Sequence, residues 1–167
     1  MKKYLLVLPL LLIGLATSLP ASAKTYTKIE LLTAVLNNVY DGTGKYTEQT
    51  CGDSTDKPTI EVAFDDIDTE GTVVSATIDD EDVIYASAGT IKKKAGNSFY
   101  NLKLTGSYSD ANADYTITLK GRITKTKPTI IRKVKVDAVA NLSEELTEAL
   151  GVDHCDVSVT FKKLMAQ

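Results

Sequence analysis

The chain has 167 residues, 25% of them charged, with a formal net charge of −3, two cysteines, one histidine and no tryptophan. That length suits one domain. A lone histidine cannot build a histidine-based zinc site, and a net acidic chain is a poor partner for nucleic acid.

The chain opens on Met1-Lys2-Lys3, runs almost wholly apolar from Tyr4 to Leu15, and closes a small-residue stretch with Ala21-Ser22-Ala23. This reads as a secretory signal peptide over 1–23, of bacterial style, with cleavage after Ala23. Its apolar core is too short for a spanning helix, and no later segment is apolar enough to be one. The expectation is a single β-rich domain over 24–167, secreted or periplasmic, with no transmembrane segment in the mature chain.

Thr27-Lys28-Ile29-Glu30 is a capping box, in which the Thr27 hydroxyl takes the Glu30 amide and the Glu30 side chain returns to Thr27. Ile29, Leu32, Leu36 and Val39, widened by Val35, then share one helical face. Asp41-Gly42 ends the pattern, so an amphipathic helix is expected over 28–40.

From there the period changes from 3.6 to 2. Ile60, Val62 and Phe64 alternate with polar or small neighbours, as do Tyr100, Leu102 and Leu104. The clearest run sets Tyr115, Ile117, Leu119, Gly121 and Ile123 against Thr116, Thr118, Lys120 and Arg122. Strands with one wet face belong to antiparallel sheets. The expected strands are 45–51, 58–65, 72–78, 83–93, 98–108, 113–124, 130–139 and 155–164, joined by short turns. Between the last two lies a short helix, capped by Asn141 with Glu144 completing the box and closed by Gly151. Its apolar side is Leu142, Leu146, Ala149 and Leu150.

Seven or eight sequential antiparallel strands must manage two edges. An exported chain with two cysteines most simply forms one bridge, Cys51–Cys155. Cys51 ends the first proposed strand and Cys155 begins the last. A bridge needs Cα atoms within about 7 Å, whereas the outer strands of a flat eight-strand sheet lie roughly 34 Å apart at about 4.8 Å per strand. The fold class is therefore an up-and-down meander closed into a barrel; a β-sandwich or a curved sheet wrapped on the helix also brings the ends together. The order helix, many antiparallel strands, short helix, final strand resembles the calycin or lipocalin group. That resemblance implies a ligand-carrying barrel, although the group's Gly-x-Trp signature is absent from a chain without tryptophan.

Charge is polarised along the chain. Residues 24–82 carry 14 acids against 4 bases, whereas 83–140 carry 11 bases against 3 acids. Alternation puts Lys120, Arg122, Lys133 and Lys135 on the wet face of neighbouring strands as a basic patch. Such a stripe suits an envelope or extracellular protein, a glycan or an anionic lipid surface.

Chemistry-bearing constellations are sparse. Asp66-x-Asp68-x-Glu70-Gly71 matches the first half of a calcium loop, but its twelfth position is Thr77 rather than glutamate. His154 abuts Cys155, yet neighbouring strand residues face opposite ways and the thiol is better used in the bridge. There is no Gly-x-Ser-x-Gly elbow. No catalytic residues and no cofactor are assigned, and the chain reads as a non-enzyme. The inward positions hold no titratable cluster, so the preferred reading is an exported binding or interaction protein of the cell envelope acting through its charged surface. The alternative is a lipocalin-like carrier of a small apolar or anionic amphiphilic ligand. In that version Tyr85, Tyr100 and Tyr115 offer hydroxyls at the rim, and Arg132, sharing parity with Val134 and Val136, takes an anionic head group at the mouth. An uncharacterised secreted enzyme or a calcium-binding module is the second alternative.

Overall fold

A computed structural model describes residues 23–52, 55, 57–80 and 83–167. Residues 1–22, nearly all of the expected signal peptide, lie outside the described residues, as do two members of the acidic run Asp79–Asp82.

The elements are α1 (Lys28–Leu36), β1 (Val39–Thr43), β2 (Lys45–Gln49), β3 (Thr59–Ile67), β4 (Thr72–Asp80), β5 (Val83–Lys93), β6 (Phe99–Ser109), β7 (Ala113–Thr124), β8 (Lys127–Leu142), α2 (Glu144–Leu150) and β9 (His154–Ala166). From β3 to β9 every strand pairs antiparallel with the next. β9 then pairs with β2 and β1, and β1 with β3, so the sheet closes on itself through β1, while β2 pairs with β9 alone. β1 and β2 are the two halves of one strand broken at Gly44. The result is an eight-stranded, closed, up-and-down barrel of calycin-like architecture, and the sandwich is set aside. A Cβ at Gly44 would lie 2.7 Å from a Val159 methyl and 2.9 Å from the Phe161 ring, so only bare backbone fits at this break.

The bridge forms as expected: Cys51 and Cys155 are disulfide-bonded with Cα atoms 5.4 Å apart. The barrel is filled along its middle by inward side chains such as Val62, Ile78, Leu104, Leu119 and Val136.

α1 keeps the expected capping box but ends at Leu36, with Asn37 as its C-cap. Val39 and Tyr40 are drawn into β1, opposite Ala63 and Val62. The docked face is Leu31, Leu32 and Val35, while Ile29 is 65% and Leu36 37% exposed. This corrects the expected stripe, because the N-terminal end of α1 is pinned by other contacts. The Tyr26 amide donates to the Lys125 carbonyl oxygen at 3.0 Å, and Lys28 pairs with Glu70 at 3.2 Å. Those contacts tie α1 to the β7–β8 and β3–β4 hairpins, and it plugs that end of the barrel.

α2 is shorter than expected and capped by Ser143, whose side chain accepts from the Leu146 amide. Asn141 instead stays in β8, opposite Asp114 and His154. No residue of α2 is buried.

β8 departs from simple alternation. Lys133 has φ 52°, and the β7–β8 register slips between Lys120 and Arg122. This is a bulge, in which one extra residue changes the parity of the strand. Ile131 and Val134 both face in, and Arg132 and Lys133 both face out.

Candidate functional site

The end of the barrel opposite α1 is formed by the end of β4, the start of β5, the β6–β7 turn, the end of β8, the start of β9 and the disulfide. Here the inward side chains of β8 shrink, from Val134 and Val136 to Ala138 and Ala140. Their lost bulk leaves a cavity of about 360 Å³, walled by Tyr46, Tyr85, Tyr115, Ala138, Val157 and Val159. Gln49, Asp80 and Cys155 also line it, and among the described residues no lysine or arginine does.

Two of the three expected rim tyrosines meet there. Tyr85 is buried and sits opposite Ile78, and Tyr115 lies opposite Ala140 and Tyr108. Burial, then the nearby Asp80 charge and Tyr115, push the Tyr85 phenol up to about 12. Burial, with Asp110 and Tyr108, also raises Tyr115. Both stay neutral near pH 7 and can donate or accept a hydrogen bond. The Tyr108 ring lies 5.8 Å from the Tyr115 ring and supports it from the side.

Tyr100 is not part of this rim. It is buried opposite Lys93 and Ile123, toward the plugged end. The reason is directional. All three tyrosines stand near the start of their strands, but β5 and β7 run one way and β6 the other. Strand order alone carried that signal. Tyr46 was missed because β2 reaches the site only by closing against β9.

Arg132 is also corrected. The bulge at Lys133 turns its side chain to the outside, opposite Arg122 and Lys163. An anionic head group at the mouth therefore loses its expected partner.

The acidic turn residues serve the fold locally. The Asp68 carboxylate accepts the Thr72 amide at 2.7 Å, and that bond holds it below the usual carboxylate range. Glu70 pairs with Lys28, and Asp66 lies opposite Ser75. Among the described residues no group of three or more His, Cys, Asp or Glu is placed to hold a metal ion. His154 pairs with Asp153 at 2.5 Å and Asp156 at 3.5 Å.

On the outer wall, Lys120 lies directly opposite Lys135, and Arg122 opposite Arg132. Lys133 is exposed at the bulge beside them. On the far side of the barrel, Asp41, Glu61 and Asp79 lie opposite one another across β1, β3 and β4.

No family model, curated protein or solved structure matches the chain significantly. The functional reading therefore stands on the barrel and its mouth.

Proposed function

We propose that this is an exported, non-enzymatic carrier that holds a small, mainly apolar ligand in the tyrosine-rimmed mouth of the barrel. The observation that carries this reading is the cavity of about 360 Å³ at one end of an otherwise filled barrel. Eight-stranded barrels are just wide enough either to be filled or to hold one small ligand. Ligand sites generally run about 300–1,000 Å³, apolar with a few placed polar groups, so this one suits a compact molecule. The Tyr85 and Tyr115 hydroxyls supply those groups. With no lysine or arginine on its wall among the described residues, a neutral, hydroxyl-bearing ligand fits better than a carboxylate.

The test is titration of purified, disulfide-intact protein with the apolar fluorescent amine N-phenyl-1-naphthylamine. One-to-one binding is expected, lost in Ala140→Phe, which fills the mouth, and weakened in Tyr85→Phe. Unchanged binding to a folded Ala140→Phe variant, or no binding to the parent protein, would reject the carrier.

A further inference from the structure

We propose that the outer face of β6–β9 binds an anionic polysaccharide, whose acidic groups lie along two cation rows. The first row is Lys103, Lys120 and Lys135, directly opposite one another across β6, β7 and β8. The second is Arg122, Arg132 and Lys163, directly opposite one another across β7, β8 and β9. All six are exposed.

Like charges directly opposite on a sheet face destabilise it. Here they recur across three strand junctions, with little compensation within the protein. Of these six cations only Lys135 has an ion-pair partner among the described residues, Asp137 at 2.6 Å. Two local features hold the second row in place. The Arg122 guanidinium stacks 4.6 Å from the Phe99 ring centre. Arg132 reaches the face through the bulge, which holds Lys133 at φ 52°, a conformation unfavourable for a residue with a Cβ. A strand without that bulge would have turned Arg132 inward.

The spacing and chemistry select the partner. Strands lie about 4.8 Å apart, so each row offers a cation at every strand crossing to a chain bearing one acid per repeat. Asn101 and Thr160 extend the rows at opposite ends, beside Arg122 and Lys135, and add hydrogen-bonding groups suited to sugar hydroxyls. A bilayer surface is disfavoured, because the exposed large apolar side chains lie mostly elsewhere. Among the described residues Ile29 and Leu36 are on α1, Val74 and Ile84 on β4 and β5, and Leu150 and Val152 at and after the end of α2. Tyr108 is at the mouth end of β6 beside Tyr115, which leaves Met165 on β9 as the one that borders the cation rows.

The experiment measures affinity for heparin and for alginate, with neutral dextran, duplex DNA and phosphatidylglycerol vesicles as comparisons. It is run at low and physiological ionic strength, since exposed charges are screened by salt. The expected result is salt-sensitive binding to heparin or alginate, weakened about tenfold or more in Lys120→Glu/Arg132→Glu and within about twofold of the parent in Lys24→Glu, which makes a charge reversal outside the two rows. Retained near-ultraviolet dichroism and retained naphthylamine binding at the mouth would show that the double variant is folded. Four results would overturn the proposal: no binding at low salt, equal loss in Lys24→Glu, equal affinity for dextran or DNA, or tighter binding to the vesicles.

Discussion

The Tyr40 hydroxyl donates to the Pro128 carbonyl oxygen at 2.6 Å, tying β1 to the start of β8. Tyr40 is fully buried, and its ring meets Phe64 edge-on at 5.9 Å. Burial pushes its phenol well above the ordinary range, so the donor keeps its proton at any pH the fold is expected to meet. Tyr40→Phe keeps the ring and strands the buried carbonyl, at an expected cost of about 1–3 kcal/mol. Urea denaturation should show a lower midpoint with an unchanged slope. A midpoint equal to the parent would mean that the Pro128 carbonyl finds another donor.

The disulfide should stabilise the barrel without being needed to shape it. The Thr50 amide donates to the Asp156 carbonyl oxygen at 3.1 Å, and the Asp156 amide to the Thr50 hydroxyl at 2.7 Å. These bonds join the segments that carry Cys51 and Cys155 independently of the sulfurs. The chain-entropy model gives about 4.7 kcal/mol for a loop of about 100 residues. Cys51→Ser/Cys155→Ser should therefore keep the parent's circular dichroism and lose about 2–5 kcal/mol in denaturation. Loss of the β signal in dilute buffer would show instead that closure depends on the bond.

Neighbouring residues on α1 should behave differently. Val35 is fully buried beneath the helix, whereas Leu36 is 37% exposed. Val35→Ala should cost about 1–3 kcal/mol through lost burial and the space left behind. Leu36→Ala should stay within about 1 kcal/mol of the parent. The reverse ranking in thermal denaturation would place the docked face where periodicity alone suggested.

His154 provides the pH dependence. Its hydrogen bond to Asp153, then the Asp153 and Asp156 charges, raise the imidazole above its ordinary value. A raised folded value gives stability that is complete below the unfolded pKa of about 6.5 and lost as pH rises through the folded one. Asp153 is lowered by the same pair. Its share is complete above about 3.9 and lost as pH falls through its folded value. The pair is thus fully charged between those limits. Proton NMR should place the His154 midpoint above the model-peptide value, and Asp153→Asn should bring it back down. A midpoint unmoved by that substitution would remove the ion pair.

Alternation read the strands closely. The run from Tyr115 to Ile123 fell inside a β7 of the expected bounds, and the cysteine pair identified the seam. Closure of this kind is legible because each strand shows a wet and a dry face, and turn residues mark its ends. What alternation cannot supply is parity across a bulge. Lys133 looks like any strand lysine, yet its backbone reverses where Arg132 points. Helix phase was lost for a related reason: pairing with Val62 and Ala63 recruited Val39 and Tyr40 into β1, and hairpin contacts rotated the docked face of α1. The mouth was half legible. Its tyrosines were visible, while the space depended on Ala138 and Ala140 standing where larger residues would have filled it.

Because Cys51 is joined to Cys155, the backbone between them is a covalent ring, and of the strands outside it β1 and β2 each pair with β9, most of which also lies outside. A single nick anywhere in that ring leaves one molecule rather than two. A protease that opens the β6–β7 turn at Asp110–Asn112, on the rim of the mouth, would yield two polypeptides still bound through their sulfurs. Those pieces would separate on a gel only after reduction.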